Sequence, residues 1–458
     1  MKFISKPAPN YRGALSTQKI MMNLTIGLGL ILVFALINAY TISINHFFHV
    51  LLVTIISVGT SILVEILYAL FMKKKPYDFI KISFPWVTAL ILVLILPLNV
   101  SFYATIICTI CAIVFGKLLF GGFGNNIFNP AAVGRAIFAV SFTGSVASDV
   151  VVGATPTTTM SNIGWIASKD TLTKLISDFG GLSNMAMGNY YGAIGETSAI
   201  LILAVGIVLA IKKVIDIRIS MTYILTIFIG ALFIGLANGL DFVSLLMYGS
   251  FHVLTGGVMF GAIFMLTDPV TSPTTRSGKI LFAMGAAFLT LIIRIGANLP
   301  EGVLYSIVLM NMFTPAIDKA FLGQQYRRIT KNFIAIVTIF VVGIVIVFGL
   351  GTSLEKGTYT KPDKTRIVTA KDMGNAKTYS AKGFQGINKF AIEVVDGKIV
   401  NIEVLEFNDT VGIGDLATND TYFEYLKTAD FDGEVDVVAN ATLTSNSIIE
   451  ACKQALGK

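Results

Sequence analysis

Long apolar runs recur through the first 350 residues of this 458-residue sequence, and they decide its class. A bilayer core is crossed by roughly 20 apolar residues of helix. Candidate spans lie at 20–40, 47–72, 83–98, 102–120, 131–147, 192–212, 222–238, 245–267, 280–297, 302–318 and 332–352. Charged residues make up 13% of the chain, against about 25% in soluble domains. The expected fold is a polytopic α-helical membrane protein of about 11 spans, with a small C-terminal α+β domain.

Charge placement fixes the expected orientation. Connections retained in the cytoplasm hold an excess of Lys and Arg. The N-terminal segment carries Lys2, Lys6, Arg12 and Lys19, and later even-numbered connections carry Lys73–Lys75 with Lys81, Lys212 with Lys213 and Arg218, Arg276 with Lys279, and Arg327, Arg328 and Lys331. The intervening connections are poor in basic residues. This alternation places the N-terminus in the cytoplasm and, after eleven spans, the C-terminal tail outside. Residues 1–350 carry 22 Lys and Arg against 11 Asp and Glu, so the net charge of +7 arises in the membrane part. It needs no nucleic-acid partner; membrane lipid is the expected surrounding.

Three cysteines argue against a disulfide framework. Cys108 and Cys111 fall in an apolar helix and read as packing residues. Glu65 is an intramembrane charge, hence either an ion-path candidate or an interfacial residue. His252 reads as a helix-packing residue.

The pattern changes after Leu350. Phe390–Val395 and Lys398–Leu405 alternate as strands around an Asp396-Gly397 turn. Residues 445–456 read as an amphipathic helix capped by Ser445 or Asn446. Residues 352–380 read as a polar connector. The division is 1–320 for the membrane domain, 321–379 for an anchor helix and connector, and 380–458 for the tail domain.

One motif occurs twice. Asp149 to Thr158 reads DVVVGATPTT, and Asp436 to Ser445 reads DVVANATLTS. Both follow D-V-V-x-[GN]-A-T-x-T-[ST], and the charge argument puts both outside. Ala-Thr beside further threonines is also ordinary helix-cap chemistry. Two copies with matched Asp and Thr spacing on one expected side favour a shared chemical role.

The pattern resembles the flavinylation motif D-x-x-[ST]-G-A-T, whose last Thr receives FMN through a phosphoester made by a flavin transferase. Two related membrane complexes use it, the Rnf electron transport complex and the sodium-pumping NADH:quinone oxidoreductase. Residues 1–350 resemble RnfD, the large membrane protein of the Rnf complex, in STQKIM (Ser16–Met21), GGFGNNIFNPAAVGR (Gly121–Arg135), FMLTDPVTSPTTRSGK (Phe264–Lys279) and NLPEGVLYSIVLMN (Asn298–Asn311). Residues 380–458 resemble the FMN-binding domain of RnfG, with DTVGIGD (Asp409–Asp415) where that family has E-T-P-G-x-G. The chain thus resembles a fusion of RnfD with RnfG, and ten helices plus the single anchor of RnfG would give eleven. Val152 and Ala439 stand where the family has Ser, and Asn440 where it has Gly.

The resemblance implies covalent FMN on Thr155 and Thr442. Gly153, Ala154, Asn440 and Ala441 would leave room for the phosphate. Asp149 and Asp436 would serve the transferase. A non-covalent riboflavin is implied near Asn125, Asn129 and Asp268, at Gly- and Pro-rich breaks of the membrane helices. Such backbone is tolerated at membrane depth only inside protein or around a cavity. Residues 95–140 and 266–312 share a Pro-rich start and a Gly-rich middle, so two inverted five-helix repeats are expected, with sites at their interface. No nucleotide-binding Gly-rich motif is present, which assigns NAD+ and ferredoxin chemistry to partner subunits. The implied function is electron transfer within an ion-translocating ferredoxin:NAD+ oxidoreductase, from the tail FMN to Thr155 and inward to riboflavin. Two rivals are a flavoprotein serving an external acceptor without ion pumping, and an inverted-repeat transporter or channel.

Overall fold

The structure is a computed structural model. It describes residues 16–142, 155–196, 198–297, 302–322, 329–353, 376–383, 387–395, 397–407, 409, 414–431, 433, 435–438 and 441–457. The chain divides into two compact units, Met1–Val150 with Met160–Gly357, and Val151–Thr159 with Thr358–Lys458.

The first unit is helical. α1 (Thr17–Ile42) is capped by Ser16, whose hydroxyl accepts from Lys19 N–H. Ser43 ends α1 and caps α2 (Ile44–Phe71). α3 (Pro76–Ser83) and α4 (Pro85–Ile95) form a pair bent by 50°. Phe84 makes the break in left-handed backbone, and Pro85 opens the next helix, where a missing N–H costs nothing. α5 (Phe102–Gly116) and α6 (Pro130–Ser141) pack together. Three short helices follow: α7 (Pro156–Asn162), whose residues up to Thr159 belong to the second unit, α8 (Lys169–Asp178) and α9 (Gly181–Met187).

α10 (Ala199–Ile211) and α11 (Ile217–Ala237) precede a second broken pair. Here α12 (Phe242–Leu254) meets α13 (Val258–Phe260) at 61°, and α13 runs on as a π-helical turn, Gly261–Met265. Gly257 makes that break with φ +71°, a backbone region open to glycine. Carbonyls loosened by the π turn are taken up by hydroxyls: Ser220 Oγ donates to Ala262 O at 2.7 Å and Thr267 Oγ1 to Ile263 O at 2.5 Å. α14 (Arg276–Gly296), α15 (Val303–Phe321) and α16 (Ile329–Ser353) complete the unit. α16 packs on α11 and α14 through small residues. A Cβ on Gly343 would collide with the Phe288 ring, and one on Gly351 would lie 3.0 Å from Ala237 Cβ.

Among the described residues, six helices are long and apolar enough to cross a membrane, or up to eight if each bent pair is one span. The chain is therefore a multi-pass membrane protein. The expected run at 131–147 gives a 12-residue helix and that at 192–212 a 13-residue one, about 18–20 Å long. Asn129 and Ser198 cap them at one end, and Phe142 and Lys212 close them at the other.

The second unit contains a three-stranded antiparallel sheet, β1 (Lys377–Lys382), β2 (Ile387–Val395) and β3 (Lys398–Glu406), in that order. The expected β2–β3 hairpin is present, with Gly397 at φ +75°. β1 lies in what the sequence suggests is connector, since KTYSAK carries little apolar alternation and gains its place by pairing with β2. α17 (Asp420–Thr428) and α18 (Thr442–Leu456) cover the sheet. Phe390, Ile392, Ile402, Leu426, Ile448 and Cys452 are central to their shared core. α18 begins three residues earlier than its expected cap at Ser445. Ser445 is buried in the first turn, where its Oγ accepts from Val438 N–H at 3.1 Å.

Candidate functional site

Thr442 is the first residue of α18 and is exposed. Ala441 precedes it, is buried, and provides no side-chain cap. The first N–H groups of this helix therefore receive no side-chain cap from the residue before it, a setting suited to a phosphate. Its neighbours Thr444, Ser445 and Ser447 are buried and occupied. Thr444 Oγ1 donates to Asp409 Oδ2 at 2.6 Å, and Asn388 Nδ2 donates to the same oxygen at 2.9 Å and to Ser447 Oγ at 3.1 Å. This network fixes the first turn of α18 to the sheet and leaves Thr442 as the hydroxyl of that turn open to modification. Asp436 is linked to α17, its carbonyl accepting from the Tyr422 hydroxyl and its N–H donating to the Tyr425 hydroxyl.

Asp409→Ala removes the acceptor shared by Asn388 and Thr444, at about 1–3 kcal/mol for orphaned buried donors. The expected result is faster hydrogen exchange of the α18 amides, on the order of ten-fold or more, in the full chain. Unchanged exchange would show the network to be incidental.

Thr155 precedes α7 and is half-buried. Its Oγ1 accepts from Thr158 N–H at 3.0 Å and lies 3.0 and 2.7 Å from the hydroxyls of Thr157 and Thr158. Both motif threonines thus stand at helix starts, Thr155 as the cap and Thr442 one position inside. The helix-cap reading and the flavin reading are compatible, because a cap position is also where a phosphate is best received. Gly153, Ala154, Asn440 and Asp149 lie outside the described residues.

The implied riboflavin region coincides with a partly open cavity. Phe84, Lys117, Phe123, Asn126, Asn129 and Asp268 are among its lining residues. Asn129 and Asp268 are therefore brought together. Asn125 is not among the lining residues: it is exposed and its amide turns back to Gly121 O at 3.4 Å, while Asn126 faces in. Asn129 caps α6 with its Oδ1 and donates to Met265 O at 3.4 Å, and its N–H donates to Asn311 Oδ1 at 3.1 Å. Asn311 Nδ2 in turn donates to Thr271 O at 3.3 Å. Asn311 escapes sequence reasoning as a site residue, since an Asn inside an apolar helix carries no local signal of its distant partners.

Glu65 and Lys117 supply buried charge here. Lys117 Nζ lies 2.7 Å from Glu65 Oε1, donates to Ser83 O at 2.5 Å, and sits 5.6 Å from the Phe123 ring centroid. Ser83 Oγ also donates to Glu65 Oε1 at 2.9 Å. Glu65 and Lys117 are both buried inside the protein.

Arg294 holds the second helix break. Its guanidinium donates to His252 O at 2.9 Å, to Thr255 O at 2.9 Å and to Gly256 O at 3.1 Å. It also lies 5.3 Å from the Trp165 ring, which stacks on His252 at 5.2 Å. In the sequence Arg294 reads only as a charge near the end of an apolar run. His252 is a packing residue, as expected, and among the described residues no group of His, Cys, Asp or Glu is arranged for a metal. Cys108 and Cys111 are free thiols. In the tail, burial pushes the Cys452 thiol up to about 12, which makes it inert.

Comparison with known proteins separates the same two parts. The NQR2, RnfD, RnfE family matches residues 4–327. The FMN-binding domain family matches residues 383–457. The D-type subunit of the Na(+)-translocating ferredoxin:NAD(+) oxidoreductase complex of Acetobacterium woodii is 34% identical over 327 residues, 71% of this chain and 95% of that one. Its counterpart in the proton-translocating ferredoxin:NAD(+) oxidoreductase complex of Clostridium ljungdahlii is 35% identical over 332 residues, 69% of this chain and 94% of that one. The B-type subunit of the Na(+)-translocating NADH-quinone reductase of Chromohalobacter salexigens is 31% identical over 259 residues, 54% and 60% of the two chains.

Proposed function

The chain belongs to the NQR2, RnfD, RnfE family, and from that premise we propose that it is a membrane electron-transfer subunit of an Rnf-type ion-translocating ferredoxin:NAD+ oxidoreductase complex, carrying its own FMN domain. One observation carries the reading: an RnfD-like membrane part and an FMN-binding domain occupy a single chain. Flavins, when bound, supply one- and two-electron transfer, and the protein supplies position and surroundings. A transporter or channel would have no use for the domain matched at residues 383–457.

The finer reading assigns covalent FMN to Thr442 and to Thr155, made by a flavin transferase. Ala441, with Asn440, Gly153 and Ala154, keeps each approach small. Support comes from the open first turn at Thr442 and from the matching helix-start position of Thr155. Riboflavin is assigned to the cavity lined by Asn126, Asn129 and Asp268, with Asn125 on the turn beside it. Phe84 and Phe123 offer apolar faces to its ring, and the Asn and Asp side chains offer hydrogen bonds. We also assign eleven spans in two inverted five-helix repeats, each bent pair being the third element of its half, with residues 1–320 as membrane domain, 321–379 as anchor and connector, and 380–458 as tail. The N-terminus is then cytoplasmic and the tail extracytoplasmic, and the remaining Rnf-type subunits hold the ferredoxin and NAD+ sites.

Topology is the deciding test. Asn446 is exposed and Cys452 is not reactive, so Asn446→Cys in a Cys111→Ser background reports the side of the tail. Labelling of intact cells by a membrane-impermeant maleimide is expected; labelling only after lysis would overturn the assignment. The cavity has its own test. Thr88 lines it and is half-buried. Thr88→Trp fills the space, and the expected result is loss of flavin released by denaturation, with covalent flavin retained. Full release from the variant would remove riboflavin from this cavity.

A further inference from the structure

α1 and α10 leave a groove of about 530 Å³ between them, lined by Ile26, Gly27, Leu30, Val205 and Val208, with Asn23 and Lys212 at one end. Two features shape it. α10 has 13 residues against 26 for α1, so it covers only half the length of its neighbour. Gly27 lets the helices approach: a Cβ there would lie 3.1 Å from Val205 Cγ1. Beside this contact Ile26, Leu30 and Val208 are about half exposed, at 56%, 54% and 50%. In a multi-pass membrane protein that surface faces acyl chains.

The polar end is basic. Lys212 Nζ donates to Asn23 Oδ1 at 3.4 Å, which uses one of its three protons. Lys213 follows, and Lys19 lies one turn before Asn23 on the same face of α1. All three lysines are exposed, and no salt bridge joins them to a carboxylate among the described residues. Basic clusters between membrane helices at the surface attract anionic headgroups. An apolar slot ending in unneutralised ammonium groups is complementary to one class of molecule.

We propose that this groove is a binding site for an anionic phospholipid, one acyl chain lying along Gly27 and Val205 and the phosphate between Lys212, Lys213 and Lys19. The lysines select charge and the slot accepts hydrocarbon. Salt weakens the first contribution and leaves the second.

The test uses the full chain in detergent, offered dioleoyl-phosphatidylglycerol or dioleoyl-phosphatidylcholine, with retention read by native mass spectrometry. Retention of phosphatidylglycerol is expected to exceed that of phosphatidylcholine on the order of 100-fold, about five-fold for each of the three lysines. Lys19→Gln, Lys212→Gln and Lys213→Gln together form one variant that changes exposed residues only, and it should bring the two lipids level. Ala204 is exposed in the groove wall, and Ala204→Phe should lower retention of both lipids while the charge remains. Equal retention of the two lipids by the unaltered chain would overturn the proposal. So would retention of phosphatidylglycerol that neither variant changes, or a crosslink from Ala204→Cys to another protein in the assembled complex.

Discussion

Thr155→Ala combined with Thr442→Ala abolishes covalent flavin: the fluorescent band of the denatured protein, made with its flavin transferase, disappears. Each single variant keeps about half of the signal, one attachment of two. Misfolding does not account for such a loss. Thr442 is exposed and its replacement costs within about 0.5 kcal/mol, as at other unpartnered surface positions. Thr155 caps a short helix, and its loss costs on the order of 1 kcal/mol. Neither amount unfolds a membrane protein of this size. Thr444 is an internal control, since it is a hydroxyl of the same motif that is buried and held by Asp409. A band of undiminished brightness from the double variant would end the assignment of both threonines.

Arg294→Met lowers stability by about 4 kcal/mol, seen as a fall of roughly 10 °C in the unfolding midpoint in detergent. The guanidinium is fully buried and serves three carbonyls where α12 stops. Those carbonyls lie at a helix end, where intrahelical donors run out. In hydrocarbon each orphan costs about 1–3 kcal/mol. Arg294→Lys restores less than half of the loss, because one ammonium cannot reach all three oxygens and also lie flat on Trp165. A midpoint for Arg294→Met within about 2 °C of the unaltered protein would show that water or another donor serves the break.

How much is legible follows from the range of each interaction. Apolar runs, the basic alternation and the β2–β3 hairpin are written in neighbouring residues, so the membrane class and the tail domain can be read directly. β1 cannot, because KTYSAK becomes a strand only through its partner 5 to 15 residues onward. The span count is blurred by two bends. Phe84 adopts left-handed backbone with nothing local to announce it, whereas Gly256-Gly257 does mark the second break. At the sites, Asn129 and Asp268 fall into one cavity from stretches 139 positions apart in the sequence. Asn125 and Asn126 are adjacent, and only the turn through Gly121 and Gly122 decides which one faces inward. Glu65 with Lys117, and Arg294 with His252, are pairings 52 and 42 residues apart, beyond any window of sequence periodicity.

The seat of α16 has a consequence for how redox equivalents are matched. Gly343 and Gly351 lock the anchor onto Phe288 and Ala237, so the helix that leads to the tail is a fixed part of the membrane unit. Because both halves come from one message, their stoichiometry is one to one whatever the level of synthesis. No encounter between separate proteins is then required to bring the two parts together.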